Sequence, residues 1–186
     1  MGGRVDWPGR GPTWLGVPAL VVAFVGLGVL IDIHTRQMTS RDLLANGVPT
    51  AADQVELDVY PNRGSPIVGD VLVTLRVDGM PRTVPLSDFD DENPHGVPEG
   101  MHPPAAGSRY SPPLAILYDP SDTTTVLAAA DAELWLANRD TPRFASELIA
   151  GGSATTVLAM VLLTRDARRR GVSWWRWYSD PPPPPA

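Results

Sequence analysis

The sequence contains no cysteine and no lysine. Without cysteine, disulfides, thiolate nucleophiles, zinc–thiolate sites and iron–sulfur clusters are excluded, and any folded domain must rest on its core alone. Without lysine, P-loop, Schiff-base and Ser–Lys chemistry are excluded as well. All 15 basic residues are arginine, a usage that goes with a GC-rich genome. The centre of the chain is also poor in positive charge. Between residues 34 and 144 there are eight arginines against sixteen acids, an acidic balance that argues against a nucleic-acid partner, because phosphates need a basic face. No cofactor motif is present.

Apolar residues are instead bunched into two uncharged blocks, 13–31 and 148–164. The first holds 19 residues, which at about 1.5 Å each approach the thickness of bilayer hydrocarbon. Its backbone must satisfy itself in lipid, so it should be helical. A cleaved signal peptide is the alternative, although no A-x-A pattern follows Ile31. The second block is weaker, diluted by Gly151, Gly152, Ser153, Thr155 and Thr156. Thr141 and Pro142 suit the start of its helix. A buried soluble helix is its alternative.

Five arginines follow the second block and two precede it, which predicts a cytoplasmic C-terminus and, with two spans, a cytoplasmic N-terminus. The expected organisation is a cytoplasmic tail (1–12), a first span (13–33), an extracytoplasmic domain (34–141), a second span (142–165) and a cytoplasmic tail (166–186). Trp14, Arg168, Arg169, Arg170, Trp174, Trp175 and Trp177 are the expected membrane anchors. Indole rings favour the headgroup zone, and arginines pair with anionic lipid. A protein-docking motif is the rival reading of the tryptophans. Small residues recur four apart at Ala19/Ala23, Ser146/Ala150/Ala154 and Gly151/Thr155/Ala159, a spacing that allows close helix contact. Asp32/Arg36 and Arg143/Glu147 are spaced for ion pairs one helical turn apart. The proline run 181–185 should be polyproline II, either solvated or read by a partner.

Between the blocks, residues 55–60 and 71–77 alternate apolar with polar, the period of a half-buried strand. Asp78-Gly79 then predicts a tight hairpin turn into 82–86, whose Pro81 and Pro85 confine it to a sheet edge. Residues 114–118 read as another strand, ended at Tyr118-Asp119-Pro120 by a structural turn. Residues 127–138 favour a helix by their alanine content. The expected fold class is membrane α+β: two transmembrane helices flanking a small, mostly antiparallel sheet of four or five strands. Residues 87–111 form a long polar loop.

The order span, VELDV strand, VDG hairpin, Gly107, LAILYDPSD, span resembles the domain-of-unknown-function 3592 family over roughly residues 13–164. Leu114, Ile116, Tyr118, Asp119 and Pro120 match that family's strand end. Ser108–Pro113 lengthens the step from the glycine, and Thr123 stands where a second proline is usual. The resemblance implies architecture only, since the family has no established activity.

The one cluster able to carry chemistry lies in the loop. Asp90, Asp91, Glu92, His95 and His102 are the candidate metal ligands, with Asp88 and Glu99 nearby. Their spacing matches neither a calcium loop nor a zinc motif. No G-x-S-x-G elbow exists, and nothing pairs two carboxylates across a cleft. The expected role is therefore non-catalytic: an accessory or scaffold subunit partnered by the bilayer and by other membrane or envelope proteins. A ligand or divalent-cation sensor built on loop 87–111 is the alternative.

Overall fold

The structure, a computed structural model, describes residues 11–61, 66–77, 79–90, 99–169 and 171–174, with side chains from Leu15 onward. The chain divides into two units, one holding residues up to Asp32 and from Asp140, the other holding Ile33–Arg139.

In the first unit, α1 (Gly11–Asn46) contributes its N-terminal part and α3 (Asp140–Arg169) all of its length. Both helices are long and apolar enough to cross a membrane. Their 36 and 30 residues correspond to about 54 and 45 Å, more than the hydrocarbon of a bilayer requires. The two helices meet along small residues. A Cβ on Gly152 would stand 2.5 Å from the Ala19 carbonyl oxygen and 2.8 Å from the Ala23 nitrogen. A Cβ on Gly26 would meet the Ala145 carbonyl oxygen at 2.8 Å. The Thr156 hydroxyl, 2.8 Å from the Gly152 carbonyl and 3.3 Å from the Gly16 carbonyl, adds a polar tie. The buried line on α3 is Ala145, Gly152 and Ala159, spaced seven apart, continued four apart by Leu163 and Ala167. Of the expected stripes, Ala19/Ala23 lies in this seam. Ser146/Ala150/Ala154 is exposed, and of Gly151/Thr155/Ala159 only Ala159 is buried. Arg143 Nε pairs with Glu147 Oε1 at 3.1 Å.

The second unit begins inside α1. Ile33, Ser40 and Leu43 are buried, so this stretch shows the one-sided burial of an amphipathic helix after the all-round apolar stretch ends. Among the described residues seven strands follow in place of the expected four or five, and they form two antiparallel sheets rather than one. β1 (Val48–Ala52), β6 (Leu114–Tyr118) and β7 (Val126–Ala128) are ordered β1-β6-β7. β2 (Gln54–Tyr60), β3 (Ile67–Val77), β4 (Met80–Pro85) and β5 (Gly100–His102) are ordered β4-β3-β2-β5. Val55, Leu57 and Val59 from β2 and Val71, Val73 and Leu75 from β3 point into a core shared with Ala52, Leu114, Ile116, Val126 and Ala128 of the other sheet. That smaller sheet is covered on its far side too, where Leu117 and Leu127 pack with Leu43 of α1 and Ala132 of α2 (Ala129–Ala137). Burial on both faces explains why β6 and β7 read as continuous apolar runs.

Val77 pairs with Met80, which makes the β3–β4 connection the two-residue hairpin expected at Asp78-Gly79. Gly79 has φ +80°, a conformation a side chain disfavours; Asp78 lies outside the described residues. Prolines 81 and 85 sit on β4, at a sheet edge. At the other turn, Asp119 Oδ1 accepts from the Ser121 N–H and hydroxyl, both at 2.7 Å, which holds its carboxyl below the usual carboxylate range. Asp122 likewise accepts from Thr124 and Thr125. Two expectations are corrected. Residues 127–138 are not all helix, because β7 takes the first of them onto the sheet beside β6. Residues 87–111 are not loop throughout, because β5 pairs with β2.

Gln37 ties α1 to α2 by donating to the Asn138 carbonyl at 2.8 Å and the Trp135 carbonyl at 3.2 Å, groups left open at the helix end. One turn on, the Ser40 hydroxyl is fully buried and finds no hydrogen-bond partner among the described residues. Ser40→Ala should therefore raise stability by about 1 kcal/mol, since an unpaired buried hydroxyl costs more than it returns and alanine favours helix. Denaturant unfolding of the two proteins side by side tests this; a less stable variant would contradict it.

Candidate functional site

The residues that follow β4 cross from one sheet to the other. Leu86 N–H bonds the Val71 carbonyl at 2.8 Å, and Ser87 N–H bonds the Val126 carbonyl at 2.7 Å, while the Ser87 hydroxyl accepts from Val126 N–H at 3.1 Å. Residues 88–90 are thereby set against α1 and α2. The Asp88 carbonyl accepts from Trp135 Nε1 at 3.3 Å. The Asp88 carboxylate lies 3.8 Å from Arg36 Nε, and the Arg36 guanidinium sits over the Trp135 ring, 4.8 Å from its centroid. A cation stacked on an indole gains from the negative π face.

These side chains border an open groove of about 480 Å³, completed by Ile67, Val68, Phe89 and Asp90. Among the described residues its lining has apolar walls, one cation and two acids, a composition suited to holding a small or extended ligand. The Ser87 hydroxyl accepts from the Val126 N–H, and none of the described residues that line the groove is a histidine.

Behind the groove lies a buried polar network. Asp131, in the first turn of α2, has no exposed surface, nor has Tyr110. The Tyr110 hydroxyl donates to Asp131 Oδ2 at 2.8 Å and accepts from the Asp90 N–H at 2.8 Å. Arg109 Nε donates to Asp131 Oδ1 at 2.6 Å, Arg109 Nη2 also pairs with that oxygen, and Nη1 reaches Asp90 Oδ2 at 3.2 Å. Phe89 meets the Tyr110 ring edge-on, with centroids 6.4 Å apart. Burial pushes the Asp131 carboxyl up, against the opposing pull of Tyr110 and Arg109. Burial, then the bond to Asp131, pushes the Tyr110 phenol up as well. For Arg109, burial disfavours the charge, but Asp131 outweighs it and the guanidinium is held more basic than usual.

The Tyr110 shift has a signed consequence. The unfolded chain loses this phenolic proton near 10.0, while the folded chain keeps it. The unfolded state therefore binds fewer protons above that pH, and the stabilisation present below pH 10.0 is lost as pH rises through the raised folded value. Unfolding measured from about pH 8 to about pH 11 should show stability falling at the alkaline end. Tyr110→Phe should lower stability overall by about 1–3 kcal/mol, because it orphans the Asp90 N–H and one Asp131 oxygen, and should flatten the alkaline slope. An unchanged slope would refute the assignment.

Of the expected metal ligands, Asp91, Glu92 and His95 lie outside the described residues, and the other two are engaged separately. Asp90 pairs with Arg109, while His102 is carried on β5 opposite Leu57, its ring Nε2 3.0 Å from the Glu99 carbonyl. No group of three potential ligands forms among the described residues. Of the expected anchors, Arg168 and Arg169 close α3 and Trp174 is exposed; Arg170, Trp175, Trp177 and the Trp14 side chain lie outside the described residues. Sequence reasoning did not find Arg36, Trp135, Arg109, Tyr110 and Asp131 as a set. The available signal was Asp131 itself, an acid inside the apolar run 126–137.

No family model, curated protein or solved structure matches the chain.

Proposed function

We propose that the chain is an integral membrane protein with two spans, α1 and α3, both termini cytoplasmic, and the acidic unit Ile33–Arg139 displayed outside the cell as a non-catalytic accessory or scaffold module. The observation that carries this is the outer surface of the helix pair. Leu15, Val17, Val21, Phe24, Val25 and Ile31 on α1 and Val157, Leu158, Met160, Val161 and Leu162 on α3 are all exposed. Only 11% of the most apolar stretch of α1 and 17% of that of α3 is buried, whereas a core helix would be mostly buried. Apolar area on this scale needs a cover, and lipid supplies one all round. The arginine bias supports the orientation.

Alkaline carbonate extraction tests insertion: the chain should stay with the membrane pellet, and release into the supernatant would refute the proposal. A reporter joined after Ala186 should be active only inside the cell. Recovery as a lone monomer from mild detergent at native expression would count against the scaffold role.

A second reading, ligand sensing, is favoured by the groove beside Arg36 and Trp135. Calorimetry on the detergent-solubilised chain with Ca²⁺, Mg²⁺, Zn²⁺ and Cu²⁺ tests its cation form, which the absence of heat with all four would remove.

A further inference from the structure

We infer that the C-terminal turns of α3 form a binding site for an anionic phospholipid. The inference rests on the two-span reading above and adds to it a defined ligand. An open surface recess of about 530 Å³ is lined by Met160, Val161, Thr164, Arg165, Arg168 and Arg169. Helical spacing sets these residues on one side: Met160, Thr164 and Arg168 form one row, and Val161, Arg165 and Arg169 the next. Along both rows the surface passes from apolar to cationic within about 13 Å of helix. Leu163 and Ala167, which flank the Met160 row, are buried, so the outward side is the one that carries Val161, Arg165 and Arg169.

Thr164 makes no demand on a ligand, because its hydroxyl donates to the Met160 carbonyl at 2.8 Å. The three arginines do. No acid lies within ion-pair distance of them among the described residues, and both Arg168 and Arg169 are exposed. Their placement at a helix C-terminus complements the dipole. The dipole alone does not account for three cations lining an open recess beside apolar side chains. Phosphate on guanidinium, with an acyl chain along Met160 and Val161, satisfies both ends of the site at once. Inorganic phosphate would fill the cationic end only and leave the apolar floor bare, so the occupant is a lipid and not the free anion.

The full chain, purified from membranes in mild detergent, should retain phosphatidylglycerol or cardiolipin in native mass spectrometry, about tenfold or more over phosphatidylcholine. In nanodiscs, an equimolar phosphatidylglycerol–phosphatidylcholine mixture should raise Tm relative to phosphatidylcholine alone, and inorganic phosphate added to the latter should not. The combined substitutions Arg165→Gln, Arg168→Gln and Arg169→Gln should abolish retention, while Arg143→Gln should leave it intact. Equal retention of both lipids, or full replacement by inorganic phosphate, overturns the site. Should the triple variant fail to insert, the wild-type nanodisc comparison decides alone. A chain that resists carbonate yet shows no lipid preference defeats only this inference; a chain released by carbonate defeats the two-span reading beneath it.

Discussion

Gly152→Leu should break the pairing of α1 with α3, and Gly152→Ala should weaken it measurably. The added Cβ would meet the Ala19 carbonyl oxygen at 2.5 Å and the Ala23 nitrogen at 2.8 Å, and both are backbone atoms that no rotamer change can move. The helices must then separate along the seam. Overpacking of this kind costs about 1–3 kcal/mol for a methyl group in a filled interface, and leucine demands far more room. Under the two-span proposal the loss is not offset elsewhere, because helix association in lipid relies on close packing and not on escape from water. The neighbouring Gly151 provides the control. A Cβ built on it meets nothing within 4 Å, so Gly151→Ala should be neutral or mildly stabilising. The natural absence of cysteine makes the measurement clean. Gly16→Cys with Ala159→Cys places two Cβ atoms close together on facing helices, where a Cβ on Gly16 would stand 3.0 Å from that of Ala159. Oxidative crosslinking of that pair should be efficient in the parent chain and should fall sharply once Gly152→Leu is added. Undiminished crosslinking would show that the seam is placed wrongly.

That seam illustrates what local patterning conveys. Ala19/Ala23 is visible as a small-residue pair and does meet α3. The partner line on α3 is not visible as a four-residue stripe, because its spacing is seven, and runs of Gly, Ser and Thr supply several stripes of equal merit. Composition reveals the apolar helices, since no other sequence feature produces two uncharged blocks of that length. The β3–β4 hairpin is equally legible, because Asp-Gly at that spacing has a local cause in positive φ. β1 is illegible for the opposite reason. Val48-Pro49-Thr50-Ala51-Ala52 has no alternation and contains a proline; it is a strand because β6 offers it a partner and an edge position tolerates Pro49. β5 and β7, three residues each, carry too little pattern to be seen, and they exist through pairing with β2 and β6. The groove and its network are assembled from residues up to 99 positions apart, Arg36 and Trp135, so no window of sequence contains them.

Asp131→Ala should cost the second unit about 3 kcal/mol, the largest single-residue loss expected there. The carboxylate is the common acceptor for the Tyr110 hydroxyl and the Arg109 guanidinium, and it has no access to water that could take its place. Removing it leaves the buried Tyr110 hydroxyl with only the Asp90 carbonyl, 3.0 Å away, as an acceptor, and leaves a cation that has lost its closest counter-charge. Arg109 is 30% exposed and keeps Asp90, so the cost falls at the lower end of the range for a broken buried pair. Asp131→Asn retains an acceptor oxygen and the volume, and should cost less than half as much. The charge itself is tolerated in the interior because the first turn of α2 adds favourable dipole to the two side-chain donors. Since Tyr110 also receives the Asp90 N–H, the effect should spread to the edge of the groove. Hydrogen exchange at the Asp90 amide should accelerate together with the loss of thermal stability. Combining Asp131→Ala with Arg109→Met tests whether the two act as one unit. Their combined cost should be well below the sum of the separate costs, because the second substitution removes a charge that the first had stranded. Strict additivity would mean that the contact contributes little, and that the acid is held in place by its neighbours' packing alone.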